Sequence, residues 1–247
     1  PEFRTFSIKM NTAHGPMADI NMRRAISHAF DYQAMLDLAG YAQLMVGPLP
    51  NGIFAHDPNL KVPRTDLALA KLFLAKTKTP NGGLKLTMTH VTGLEQQRRW
   101  ALVMLDSLKK LNIDLDIKPM VWPDMVALTK APQTAPDFFP VYQTANYGDT
   151  DNIAFAAYHS INNGNWQNMV YKSEKVDGLI ERGRAETDLA KRAAIYKELQ
   201  EAIVEDAPDI FGVLEKRKLA MRTDVENFKF IPVASNAPEL FGLSLKG

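Results

Sequence analysis

The stretch from Leu84 to Lys118 constrains this chain more than any other. Leu84, Leu86 and Met88 alternate with Lys85, Thr87 and Thr89, the period-two signature of a strand. Leu94, Ala101, Leu105 and Leu108 then recur at helical spacing, and Asn112 is a residue type that ends helices. Ile113, Leu115 and Ile117 alternate once more with Asp114, Asp116 and Lys118. Strand, helix, strand is a βαβ unit, and such a unit requires parallel strands covered by a helix. Residues 122–130 and 137–143 repeat the helix–strand step, so the fold class is α/β.

The flanks extend this pattern. Phe6 to Asn11 alternates and predicts a half-buried strand. Asp19 reads as an N-cap for a helix carrying Met22, Ala25, Ile26, Ala29 and Phe30, and Asp31 as the cap of a second helix stopping at Gly40. Residues 41–64 hold Pro48, Pro50, Pro58 and Pro63 with Gly47 and Gly52, which predicts a long irregular connection. Thr65 is expected to cap a helix running to about Lys76, before a turn at Pro80–Gly83. Ser173 and Asp188 open two further helices, the second passing through Leu189, Ala193, Tyr196, Leu199 and Ile203 until Pro208. Residues 209–247 read as short strands with Pro232 and Pro238 between them.

Composition narrows the function classes. The 247 residues are 46% hydrophobic and 23% charged, with Lys+Arg 29 against Asp+Glu 28, ordinary globular usage with no electrostatic footprint for nucleic acid. The basic runs, Lys216-Arg217-Lys218 among them, are scattered. Cysteine is absent, which removes disulfides, thiol nucleophiles and thiolate metal sites together. Apolar runs such as Ala101–Leu105 are far too short to cross a bilayer. Pro1-Glu2-Phe3 reads as a fusion-vector remnant and no signal-peptide pattern is present, so a longer parent protein is expected.

Catalytic motifs are weak. The five histidines share no metal-ligand spacing, and His28 falls within an amphipathic helix, where packing is the better reading. Ser107–Lys110 matches Ser-x-x-Lys, but it lies near a helix C-terminus, where lysines are expected on electrostatic grounds. Asp149 and Asp151 beside Asn146 and Asn152 hint at a cation loop but lack the glycine and distal glutamate of a calcium hand. Residues 143–168 remain: amides, a carboxylate, Tyr147 and Trp166, read as loops following a strand. Those are the materials of a small-molecule pocket, and loops at strand carboxyl ends are where open α/β sheets bind ligands. Turn chemistry and core packing account for the same residues equally well.

An ordered series of motifs then resembles the extracellular solute-binding proteins of family 5, the dipeptide, oligopeptide and nickel receptors of ABC importers. Phe6–Thr12 with Ile20–Asp31 is similar to that family's strand followed by an Arg-x-Ala-Ile helix. Gly47-Pro-Leu-Pro50, Asp66–Leu74, Leu105–Ile113, Asn168–Ile180 and Arg192–Pro208 resemble later landmarks in the same order.

The resemblance implies one lobe of a type II periplasmic-binding-protein clamshell, a mixed sheet flanked by helices, and only the C-terminal lobe of it. Residues 4–208 would form this lobe, and 209–247 would return toward a missing N-terminal lobe. It implies a periplasmic receptor (or a lipid-anchored one on a single-membrane cell) that closes on a peptide or small solute and delivers it to a membrane permease. No cofactor, nucleic-acid partner or catalysis is implied. Candidate ligand-binding residues are Gln143, Asn146, Tyr147 and Asp149, with Trp122 and Trp166 as stacking walls. In the peptide receptors the counterpart of Asn146 is an Asp that pairs with the ligand's amino terminus, so the neutral amide here argues against a simple free-amine peptide. The alternative is the ligand-sensing domain of a transcriptional regulator whose helix-turn-helix lies elsewhere.

Overall fold

The structure, a computed structural model, describes residues 2–216, 218–233 and 242–246. Pro238, Arg217 and Pro1, which figure in the sequence reading, lie outside them. Six strands form one mixed sheet: β1 (Arg4–Met10), β2 (Ala42–Leu44), β3 (Leu84–Val91), β4 (Ile113–Met120), β5 (Phe138–Thr144) and β6 (Asp209–Glu215). Their spatial order is β2-β6-β1-β5-β3-β4. Strand β3 runs parallel to β4 and β5, as the βαβ reading requires, while β1 is antiparallel to both β5 and β6. A two-residue pairing of β7 (Val225–Glu226) with β8 (Ser244–Leu245) stands apart.

Helices cover both faces. Helices α1 (Ile20–Ala29), α2 (Tyr32–Ala39), α3 (Leu67–Leu74) and α4 (Glu95–Lys109) share a core with Phe6, Ile8, Met88 and Phe138. On the opposite face lie α5 (Trp122–Leu128), α6 (Thr150–Tyr158), α7 (Glu174–Ala185) and α8 (Leu189–Asp206), packed on Phe139, Val141, Phe211 and Leu214. No described helix is long and apolar enough to cross a membrane.

Predicted caps hold at three helices. Asp19 accepts from the Asn21 amide, Asp31 from Ala34, and Asp188 from Ala190 and Lys191, satisfying donors that each first turn leaves open. At α3 the cap is Asp66 rather than Thr65. Thr65 instead donates to the Phe30 carbonyl and accepts from the Tyr32 amide, fastening the long connection to the α1–α2 corner. That connection is not wholly irregular, because β2 forms within it and pairs with β6.

Two further expectations are corrected. Strand β1 is buried on both faces, not one. Phe6, Ile8 and Met10 enter the α1–α4 core, while the Lys9 ammonium reaches both Asp209 oxygens at 3.3 and 3.1 Å and lies over the Tyr158 ring. Burying an ammonium on a central strand is costly unless such partners compensate it. On α4 the buried stripe is Gln97, Trp100, Ala101, Met104, Ser107 and Leu108, and Leu94 is exposed. The helix is rotated so that Trp100 meets Phe6, ring centroids 3.8 Å apart, with its Nε1–H donating to Met35.

The carboxyl end of α8 is closed by arginines of α1. Arg23, 6% exposed, donates to the Asp206 and Ala207 carbonyls and to Met17 and Ala18, and Arg24 donates to Glu205. Cations at a helix C-terminus satisfy its last carbonyls and oppose its dipole.

Candidate functional site

Strands β3, β4 and β5 are co-directional and all end at one edge of the sheet, at Val91, Met120 and Thr144. The register Arg4↔Thr144 and Thr5↔Leu214 puts the start of β1 and the end of β6 at that same edge. There the Arg4 guanidinium lies 4.4 Å over the Tyr142 ring, and the Tyr142 hydroxyl donates to Glu215 at 3.3 Å. The β1–β5 ladder runs on past Arg4, because the Ala145 amide donates to the Phe3 carbonyl.

After β4 come Val121 and Trp122, 54% and 37% exposed. Trp122 meets Trp166 edge to face, centroids 5.3 Å apart, and both pack with the cluster containing Phe139, Met120 and Val91. Gln143, on the same face of β5 as Phe139 and Val141, is buried and donates to the Gln167 carbonyl beside Trp166. The structure thus brings Trp122, Trp166 and Gln143 to one side of the edge.

After β5 the chain does not stay a loop. Residues 150–158 form α6, with Asp149 as its N-cap, accepting from the Asp151 amide at 2.9 Å. The signal was present in Ile153, Ala154, Ala157 and Tyr158 at helical spacing behind an Asp, but the flanking amides and glycine masked it. Asn146 is exposed, and its backbone amide donates to Asn152 Oδ1 at 2.7 Å. Tyr147 is 47% exposed, and its hydroxyl donates to Asp151 at 3.0 Å. Burial and the Asp151 carboxylate both push that hydroxyl's pKa upward.

Both carboxylates of this turn are engaged. Arg192 Nη1 and Nη2 hold the two Asp149 oxygens at 2.6 and 2.8 Å. The same guanidinium donates to the Gly183 carbonyl and the Tyr196 hydroxyl, and lies over the rings of Phe54 and Tyr196. Burial would raise the Asp149 pKa, but the Arg192 bonds and the Asp151 amide outweigh it and hold the group below its usual value. Asp151 is paired with Arg184 Nε at 3.1 Å, and Arg184 also lies over the Phe155 ring. Neither arginine was singled out from sequence. They stand on other helices, and nothing in linear spacing links them to residues 149 and 151.

The weaker motifs resolve as packing. Ser107 is buried, donating to Val103 and accepting from the Asp31 amide, which is a packing role. His28 bonds the Arg64 carbonyl and stacks on Phe73. Among the described residues, no group of three or more His, Asp or Glu side chains could hold a metal ion. Cavities of about 440 and 510 Å³ lie at the opposite edge of the sheet, the first lined by Thr12, Pro132, Tyr171 and the carbonyl-bound Arg23, the second by Gly15, Met22, Thr77 and Leu84.

Residues 1–165 match the model of the bacterial extracellular solute-binding proteins, family 5 middle region. The chain belongs to that family. It is 26% identical over 247 residues to the probable D,D-dipeptide-binding periplasmic protein DdpA of Escherichia coli K12, covering 94% of this chain and 45% of that protein. To the nickel-binding protein NikA of Staphylococcus aureus it is 26% identical over 237 residues, covering 93% of this chain and 46% of that protein. The solved structure of the Helicobacter pylori periplasmic binding protein DppA with the peptide STSA superposes with a TM-score of 0.83 at 24% identity, over 99% of this chain and 47% of that one. The family 5 chain described here therefore spans about half the length of the relatives it matches, and its mixed sheet with helices on both faces is the fold of one such lobe.

Proposed function

We propose that this chain is the C-terminal ligand-binding lobe of an ABC-import receptor outside the cytoplasmic membrane, a binding protein with no chemistry of its own. The observation that carries this reading is the carboxyl edge. The ends of β4 and β5 deliver exposed Val121, Trp122 and Tyr147 with the Asn146 amide to one rim, and β1 and β6 meet that rim side by side, as a pair of interlobe crossings would. A solute held there is half enclosed, and an N-terminal lobe closing over it supplies the remaining contacts. Trp122 and Trp166 form the apolar wall, Gln143 backs it, and Asn146 and Tyr147 are the polar contacts. Asp149 supports these residues through its cap and ion pair. The closed form then docks on a membrane permease. The three relatives named above are each called binding proteins, which supports the same class.

A thermal-shift panel of peptides, metal chelates, opines and sugars on the complete two-lobe receptor tests the reading. Stabilisation by at least one solute, lost in Trp122→Ala or Asn146→Ala, is the expected result. A receptor that no solute stabilises sinks it.

A further inference from the structure

We infer that Tyr142 is a positioning residue for lobe closure: its side chain ties together the two strands that leave the lobe, so that the hinge bends outside Phe3 and Lys216 and not within the sheet. This rests on the receptor reading above. Arg4 is the first residue of β1 and Glu215 the last of β6, the two points at which those strands depart. Phe6 stands opposite both Tyr142 on β5 and Val213 on β6, so Arg4, Tyr142 and Glu215 share one face of the sheet. The Tyr142 ring lies under the Arg4 guanidinium at 4.4 Å, and its hydroxyl reaches across β1 to donate to Glu215 Oε1 at 3.3 Å. One side chain on a third strand therefore holds the ends of both crossings. Burial, and after it the Glu215 carboxylate, raise the hydroxyl's pKa, so it stays the donor of that bond.

Below the clamp the strands have no room to flex. Tyr142 packs on Phe6 and Trp100, with centroids 4.9 and 6.2 Å away, and Phe6 lies 3.8 Å from Trp100. The β1–β6 register slips between Phe6 and Ser7, a bulge at which a strand could bend. That bulge is filled: a Cβ at Gly212 would lie 2.6 Å from the Phe6 carbonyl oxygen and 2.7 Å from Cε of buried Met35. Main-chain bonds run one residue past the clamp on each side, from the Ala145 amide to Phe3 and from the Lys216 amide to Tyr41. The Lys216 and Lys218 ammoniums then lie over the Tyr41 ring at 5.7 and 4.5 Å. A hinge absorbs its change of φ and ψ over a few residues, and paired, packed residues are the ones that do not take it. Loosening the clamp lengthens the moving stretch and widens the open ensemble that a solute must give up on closure.

The test uses the complete two-lobe receptor carrying one nitroxide label on each lobe, read by double electron–electron resonance. This chain has no cysteine, so Glu198→Cys on the exposed side of α8 takes its label. Tyr142→Phe keeps the ring and removes the bond to Glu215. It is expected to broaden the solute-free distance distribution and to weaken binding of any solute that the panel above finds by about two- to tenfold, the worth of one hydrogen bond. Glu215→Leu should broaden the distribution equally, and the double variant no further, because both remove the same bond. Gly183→Ala, which crowds Tyr196 away from the crossings, is the control: it should lower the melting temperature and leave the distribution alone. A distribution unchanged in Tyr142→Phe, or broadened as much by Gly183→Ala, overturns the inference. Label distances that no solute in the panel shortens overturn the receptor reading itself, an outcome read from the unaltered receptor and so distinct from failure of the clamp.

Discussion

Arg192 grips Asp149 with two nitrogens at 2.6 and 2.8 Å, although 43 residues separate them. That grip ties α8 to the first turn of α6 and so fixes the Asn146–Tyr147 turn against the sheet edge. Arg192→Met is expected to destabilise the lobe by about 1–3 kcal/mol, since it leaves a partly buried carboxylate with fewer partners. Arg192→Lys keeps the charge but loses the fork, and should recover only part of that. Urea unfolding at neutral pH measures both, and a lysine variant as stable as the unaltered chain would remove the bidentate argument.

The same pair sets a pH dependence. The Asp149 pKa is depressed in the folded chain, so the folded state binds its proton less readily than the unfolded state does. Its stabilisation is present in full above the unfolded value of about 3.9 and is lost as pH falls through the lower folded value. The stability gap between the unaltered chain and Arg192→Met should therefore narrow on acidification below about pH 4. A gap unchanged across that range would show that Asp149 is not the titrating partner.

Helix α7 carries two glycines with opposite expectations. A Cβ at Gly178 meets nothing within 4 Å, so Gly178→Ala should stabilise by about 0.5–1 kcal/mol through helix propensity alone. A Cβ at Gly183 would lie 2.5 Å from the ring of fully buried Tyr196, so Gly183→Ala should destabilise by about 1–3 kcal/mol despite the same propensity gain. Thermal melts of the two variants need only differ in sign. Equal shifts would mean that α7 and α8 pack otherwise.

Lys9 and Asp209 form an ion pair with side chains 2% and 1% exposed, joined by the Tyr158 hydroxyl at 2.8 Å. Lys9→Met should cost about 3–5 kcal/mol, because it strands a buried carboxylate. Adding Asp209→Leu should restore part of the loss instead of deepening it. A double variant as unstable as the sum of the singles would show that the pair is not coupled.

Trp122 is a test of place rather than stability. Partly exposed on the rim, it should cost under about 1.5 kcal/mol of stability when changed to Ala while weakening solute binding to the complete receptor by about tenfold. A variant that melts far lower but binds unchanged would make Trp122 a core residue.

Periodicity alone located the βαβ unit at 84–118, the step that repeats it, and the two helices that follow Ser173 and Asp188, because a helix or strand must present an apolar stripe to whatever covers it. The caps at Asp19, Asp31 and Asp188 were legible for the same local reason, a side-chain oxygen within reach of the next amides. The ordered motifs also marked the family. Tertiary structure decided what local rules leave open. It buried Lys9 on the polar side of β1 by bringing Asp209 across the sheet, and rotated α4 until Trp100 met Phe6. It also raised a helix out of the amide-rich stretch after Asn146 and closed Asp149 with an arginine from α8. A carboxylate's partner is chosen by distance in space, and an isolated Asp in a sequence does not say whether it is free to hold a ligand. Here the folded chain assigns that acid to its own framework.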